Sequence, residues 1–376
     1  MRSGWLVAAT LLILPLLGSE RQGAAEARDS DPPRSQTAAE KGRVRAVRRG
    51  IQYLARHQNE NGSWGQMDGR IGITSLCLLA FLAQGHQEGR GEFAKQDVLG
   101  RGVQFLLRHS LPPSQDNPLL STSQGRPTGF IYLENDSNSR MHGHGYATQV
   151  LVLAYGSARA SDERTKQLKL KIQRAVRVIE ESQTLTGGWG YEPKRASSHE
   201  GSVTVTVVQA LRLARDAGFV VDKEVHDRGL KYLMDSQKRD GSFKYALMED
   251  RSTPALTAAA LTAMYGFGEY YTRSIRRGLE YISDPYQHPG ELEWTFYGNY
   301  YAAQAFYRAG GRLWREWEQR GVPWIVQNQI QSDHHTGYWD DRDQGNSPHP
   351  NGPSYSTAMA VLALSVPDGY LPLFQK

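Results

Sequence analysis

Four short clusters of ionisable side chains carry the residue types that acid–base chemistry or metal binding needs. His142-Gly143-His144 sets two imidazoles two residues apart beside glycine. Such a pair can bind one metal or act as acid and base, and it can equally cap backbone groups at a helix entry. His199-Glu200 stands just before an apolar stretch, where a carboxylate would meet the positive end of a helix. Glu249-Asp250 places two carboxylates side by side. In a closed cavity one of them would be driven toward a raised pKa and general-acid work; in an open first turn they are a charge pair before Thr253-Pro254. Asp340-Asp341-Arg342-Asp343 gathers three carboxylates behind Trp339, in a pattern that a hydrophilic loop also has. Glu249, Asp250, Asp340, Asp341 and Asp343 are therefore the candidate catalytic residues. The single cysteine, Cys77, lies in an apolar stretch and reads as core; one cysteine excludes an intrachain disulfide and a multi-cysteine metal site. No metal and no cofactor are expected.

Repeated elements must position these clusters. The pattern basic–Gly–x–x–aromatic–aliphatic occurs at Arg49-Gly50, Arg101-Gly102, Arg228-Gly229, Arg277-Gly278 and Arg320-Gly321, with a weaker copy at Arg174-Ala175. Gln58, Gln183, Gln237 and Gln329 follow at a fixed offset in four copies. A glycine-bearing turn then ends in Trp64, Trp189, Phe243, Trp294 or Trp339, with Phe130 in a disturbed second copy. Internal repetition on this scale predicts stacked supersecondary units.

Each unit continues into a second stretch that is apolar on nearly every side: 73–82, 146–155, 203–214, 255–265, 300–307 and 355–364. A helix apolar all round is a buried helix, whereas the first helix of each unit is amphipathic and half exposed. Thr253 before Pro254, and Ser354, read as N-caps. Six such hairpins bury their apolar faces best by closing into a ring. The predicted fold is all-α, a six-hairpin α/α toroid; a linear solenoid would need polar end caps, which the sequence lacks. Inner-helix N-termini then converge at one mouth, a default site for an anionic or polarised ligand. The loops entering that mouth carry His142, His144, His199 and Glu200, and the aromatics Tyr191, Tyr245, Trp294 and Tyr297; Tyr300 and Tyr301 follow on an inner helix. These ten are the candidate ligand-binding residues.

Of the 376 residues, 39% are hydrophobic and 22% charged, a composition that can bury a real core. Arg2, the apolar run 5–17 and Ala25-Glu26-Ala27 have the order of a signal peptide, and the run is shorter than the ~20 residues that span a bilayer. The expected organisation is a signal peptide over 1–27, a flexible linker over 28–44 and the toroid over 45–376. The protein is expected to be exported, periplasmic or extracellular, with no stable membrane span after cleavage. The net charge of +5 is spread over predicted outer helices and accompanies no nucleic-acid motif, so no nucleic-acid partner is expected.

The segments RRGIQYLARHQNENGSWG, RAVRVIEESQTLTGGWG and DRGLKYLMDSQKRDGSF resemble the QW repeats of squalene and oxidosqualene cyclases and of protein prenyltransferase β subunits. MHGHGYATQVLVLAYG, HEGSVTVTVVQALRLARDAG and YSTAMAVLALSVP are most similar to secreted bacterial members of this repeat family. The resemblance implies the α/α toroid, with Gln58 and Trp64, Gln183 and Trp189, Gln237 and Phe243, and Gln329 and Trp339 tying outer helices together. It also implies an apolar small-molecule or lipid ligand, isoprenoid-like, bound or transformed in the central cavity. The family's catalytic signatures do not carry over. There is no D-x-D-D, only Asp340-Asp341-Arg342-Asp343; the prenyltransferase zinc ligands are replaced by Tyr297-Gly298-Asn299-Tyr300 and Tyr355-Ser356-Thr357; and the thioester Gly-Cys-Gly-Glu-Gln run is missing. Two alternatives stand beside the isoprenoid reading: a non-catalytic exported ligand-binding or scaffold protein, and a carbohydrate-active α/α-barrel enzyme.

Overall fold

A computed structural model describes residues 37–65, 69–110, 129–134, 136, 140–157, 162–193, 199–340 and 352–375. The expected signal peptide, Asp341 and Asp343 lie outside the described residues. Residues Gly42–Lys376 form one compact unit.

The described residues form twelve α-helices that alternate between two layers. The outer helices are α1 (Ala38–Arg56), α3 (Val98–Arg108), α5 (Glu163–Ser182), α7 (Lys223–Ser236), α9 (Arg273–Ser283) and α11 (Gly311–Gln327). The inner helices are α2 (Arg70–Leu82), α4 (Arg140–Ser157), α6 (Gly201–Asp216), α8 (Pro254–Gly266), α10 (Thr295–Ala309) and α12 (Pro353–Ser365). Each inner helix packs on the next, and α12 packs on α2, so the inner ring is closed. The two layers follow from their sequences. On α9 only Ile275, Gly278, Leu279 and Ile282 are buried, a one-sided stripe at helical spacing. On α8 every residue from Ala255 to Gly266 is buried. The apolar stretches predicted for the inner layer all fall on inner helices. The all-α toroid is the observed fold. Because α1 begins at Ala38, the end of the stretch read as linker is helical.

The repeat residues form three recurring joints. Gln58 donates to Val98 O (2.8 Å), Gln183 to Val225 O (2.8 Å), Gln237 to Ser274 O (2.9 Å) and Gln329 to Ala46 O (2.8 Å). Each acceptor lies one helical turn before the repeat glycine of the following outer helix, and the last of these bonds closes the ring. The indole N–H groups of Trp64, Trp189 and Trp339 donate to Leu54 O, Ile179 O and Ile325 O, each at 2.7 Å. The backbone N–H of Trp64, Trp189, Phe243 and Trp339 donates to a threonine of the adjoining inner helix: Thr74, Thr204, Thr257 and Thr357. The repeat glycines let the layers close. A Cβ on Gly102 would come 2.7 Å from Leu78 Cδ2, which is inside any tolerable contact.

Two expectations are corrected. Ser354 does not cap α12, because the cap position is Gly352 and no side chain bonds there; Ser354 sits inside the first turn. Trp294 is not a buried repeat anchor. It is 44% exposed, with φ 59°, at the N-cap of α10. Thr253, by contrast, caps α8 as expected, accepting from Leu256 N at 3.1 Å ahead of a first-turn proline. Asp333-His334-His335 lies in the loop between two short antiparallel strands, β1 (Ile330–Gln331) and β2 (Gly337–Tyr338). Among the described residues no helix is long and apolar enough to cross a membrane.

Candidate functional site

All six inner helices contribute to one cavity of about 220 Å³ at the mouth where their N-termini meet. Gly72, Ile73 and Leu76 come from α2, and His142, Gly143 and Tyr146 from α4. Glu200 and Ser202 come from the start of α6, and Leu256 from α8. Trp294 and Tyr297 come from the start of α10, and Tyr355 and Met359 from α12. Tyr191 and Tyr245 reach in from loops. Backbone bonds hold these loops in place: Met141 N donates to Tyr191 O (3.0 Å), and Gly201 N donates to Tyr245 O (2.6 Å).

Polar contact in the cavity centres on the first turn of α6. Glu200 is the N-cap; its Oε2 accepts from Val203 N (3.2 Å) and from Ser202 Oγ. His142 Nε2 lies 2.9 Å from Ser202 Oγ. Serine has one proton to give, and it goes to the carboxylate, so Ser202 accepts from His142 Nε2–H. That bond assigns the tautomer and leaves Nδ1 as a lone-pair acceptor. Among the described residues, three buried polar atoms on lining side chains have no partner: His142 Nδ1, Glu200 Oε1 and Tyr297 Oη. Burial pushes the His142 pKa down to about 4, which keeps the ring neutral near pH 7. Burial pushes the Glu200 carboxyl up, against the pull of Ser202 and the α6 N–H groups.

Six of the expected ligand-binding residues come together here: His142, Glu200, Tyr191, Tyr245, Trp294 and Tyr297. Four lie elsewhere. His144 is fully buried and holds two elements together. Its Nδ1 accepts from Ile131 N (3.1 Å) and its Nε2 donates to Ala175 O (3.0 Å), so it fills in the second unit the place the repeat threonine fills in others. His199 Nε2 accepts from Leu247 N (3.2 Å), and its Nδ1 lies 3.2 Å from Thr186 Oγ1; it pins the loop before α8. Tyr301 bonds Tyr146 Oη at 3.1 Å, one layer beneath the cavity, and Tyr300 is buried beside it. Among the candidate catalytic residues, Glu249 and Asp250 are exposed and outside the cavity; the Asp250 carboxylate faces Lys238 at 3.4 Å. Asp340 is half-buried and also outside it. Among the described residues the carboxylate lining the cavity is Glu200.

The sequence reading missed Ser202, Tyr146, Tyr355 and Asp136. Ser202 had a signal, since a Glu-x-Ser at a helix start turns both side chains toward the same first turn. Asp136 had none. It reaches from the second unit to accept from Gly69 N at 2.7 Å, capping α2, which has no side-chain cap of its own. The anions expected at the inner-helix tips are thus supplied, at α2 and α6, by the chain itself.

No family model and no curated protein matches the chain. Among solved structures it is similar to the type II terpene cyclase MstE from Scytonema, at 13% identity over 88% of this chain and 100% of that one, TM-score 0.55. It is similar to an α-amylase from Clostridium perfringens, at 13% identity over 85% and 96%, TM-score 0.55. A D-mannose isomerase matches at 11% identity over 89% and 98%, TM-score 0.58. The fold is therefore the terpenoid cyclase-like α/α toroid, which these neighbours use for unrelated chemistries. MstE has been captured with geranylgeranyl dihydroxybenzoate as substrate. At such identities the likeness is one of fold, and function has to be argued from the site.

Proposed function

We propose that this protein binds a small ligand in the cavity at the inner-helix mouth, and does so outside the cytoplasm. The observation that carries the reading is the set of three unpartnered buried polar atoms on side chains lining one cavity. Buried polar groups left without partners are costly, and a ligand that supplies the missing bonds removes the cost. The volume sets the size. At about 30 Å³ per water the cavity holds roughly seven waters, hence a ligand of about ten non-hydrogen atoms or fewer. A twenty-carbon isoprenoid would leave most of its length outside, which disfavours the isoprenoid reading. Glycoside hydrolysis needs two facing carboxylates, and among the described residues the lining offers one, Glu200. Catalysis on the same small ligand is a second reading, favoured by the His142–Ser202–Glu200 chain, along which a proton can pass between carboxyl and ring. Export rests on residues 1–27, and an N-terminus at Arg28 on protein recovered from a secreting bacterial host is the expected result.

The cavity reading is tested by thermal shift with choline, D-glucose and geranylgeraniol, comparing the mature chain with Gly72→Leu. A Cβ at Gly72 meets only the Gly143 backbone, Cα at 3.6 Å and N at 4.0 Å, both ordinary contacts, so a leucine can start into the cavity without a backbone clash at its Cβ. A small probe at about 100 times its Kd should add about 2.7 kcal/mol. That gain should vanish in Gly72→Leu. Stabilisation by geranylgeraniol alone, or a shift that Gly72→Leu leaves intact, contradicts the reading.

A further inference from the structure

Resting on that reading, we infer that the ligand is a small organic cation, an ammonium group carrying methyl or methylene substituents. Six aromatic side chains line the cavity: Tyr146, Tyr191, Tyr245, Trp294, Tyr297 and Tyr355. Ring faces attract a cation through their quadrupoles, tryptophan most strongly. Trp294 stands in the left-handed region at φ 59° and ψ 50°, a conformation bulky residues rarely adopt. It leaves the buried place that the repeat gives Trp64, Trp189 and Trp339, and its ring stands at the cavity lip instead. Backbone strain of this kind collects at ligand clamps.

The charge balance points the same way. Glu200 is buried to 9% exposure, and one of its two carboxylate oxygens has no partner. Among the described residues, no lysine or arginine lines the cavity. Among the described residues beside the cavity, Arg251 in the loop before α8 and Arg140 at the start of α4 are already committed. Arg251 lies over the Tyr245 ring at 4.7 Å and pairs with Glu293 at 2.8 Å; Arg140 grips both oxygens of Glu192 at 2.9 and 3.1 Å. The N-terminus of α6 offers Glu200 about half a positive charge, and the remainder is uncompensated. A buried carboxylate wants a full partner, and a ligand cation would be one. An anionic ligand would meet this carboxylate instead. His142 Nδ1, a bare acceptor, suits an ammonium N–H or a hydroxyl carried by the same ligand. The cavity, at roughly seven waters, is the size of such a molecule.

The test is isothermal titration of the mature chain with choline and with 3,3-dimethylbutan-1-ol, which has the same shape with carbon in place of the charged nitrogen. Choline should bind about tenfold tighter than the neutral isostere. Glu200→Gln should erase most of that ratio while leaving the isostere's affinity unchanged, and Trp294→Ala should lower the affinity for choline several-fold. Equal binding of the two, or a ratio that survives Glu200→Gln, overturns the cation assignment. Binding of D-glucose without choline, abolished by Gly72→Leu, also overturns it and leaves the cavity reading standing. If no probe binds, or if binding survives Gly72→Leu, the cavity reading itself falls and the assignment with it.

Discussion

His142 and His144 are two residues apart and do unlike work, because successive helical positions point in different directions. His142 meets Ser202 at the cavity, and His144 joins Ile131 to Ala175 in the core. Both rings are held neutral by burial, with pKa values lowered to about 4. The sign for stability follows. The unfolded chain takes up its histidine protons near pH 6.5, before the folded protein does. The folded state's advantage is thus complete above about pH 6.5 and is lost as pH falls toward 4. For His144, at about 1.36 kcal/mol per pKa unit, the loss is roughly 3 kcal/mol. His144→Gln keeps a donor and an acceptor but cannot titrate. Urea midpoints should therefore fall more on acidification from pH 7 to 4.5 in the wild type than in His144→Gln; equal falls would mean that His144 titrates normally. At Glu200 and Asp250 the same chemistry has different consequences. Glu200→Gln removes a desolvated charge and should leave the urea midpoint unchanged or raise it. Asp250→Asn, at an open surface, should move stability by no more than about 0.5 kcal/mol.

At the scale of elements, the joint between a turn and its two helices is the unit of stability. Trp189 is buried, donates its indole N–H to Ile179 O and donates its backbone N–H to Thr204 Oγ1. Trp189→Ala should cost about 3–5 kcal/mol. Trp294 occupies the corresponding place in the fifth unit's sequence pattern, yet it is half out of the protein; Trp294→Ala should cost under about 1 kcal/mol. Chemical denaturation of the two variants measures the difference, and equal costs would mean that Trp294 is an ordinary anchor. The sequence pattern did not separate the two, since both close a glycine-bearing turn after an amphipathic outer helix. The pattern records a turn, whereas the direction in which the ring leaves it depends on the backbone at that residue.

For the whole molecule the decisive bond is Gln329 to Ala46, which repeats across the seam what Gln58, Gln183 and Gln237 do inside the ring. Arg43 reinforces the seam with two bonds to Asp368, at 2.7 and 3.0 Å. Gln329→Leu should then destabilise as much as Gln237→Leu, by about 1–3 kcal/mol, because each leaves a part-buried carbonyl without its donor. Both variants should unfold in one transition by circular dichroism and by tryptophan fluorescence together. A seam variant that costs nothing, or that splits the transition, would describe an open stack of repeats rather than a closed ring.

By itself the sequence determined the architecture. Two helices per unit, one apolar on a stripe and one apolar all round, recur until ring closure buries every inner face. The glutamine and tryptophan anchors are legible as recurring features of the chain, whereas the threonine that each turn bonds lies 10, 15, 14 or 18 residues on, at no fixed offset. Thr253 as a cap and Glu200 at a helix start were legible because an N-cap acts within three residues. Only the tertiary structure decided which charged loop faces inward. Glu200 and Glu249 both precede an inner helix, but Glu200 is the cap residue itself, locked by Val203 and Ser202, while Glu249 stands farther out in an exposed turn. Asp136 closes the end of a helix sixty-odd residues earlier in the chain, and no offset within one repeat can record that. A cavity built by six helices depends on where six chain segments meet, whereas a repeat pattern describes one segment and its neighbour.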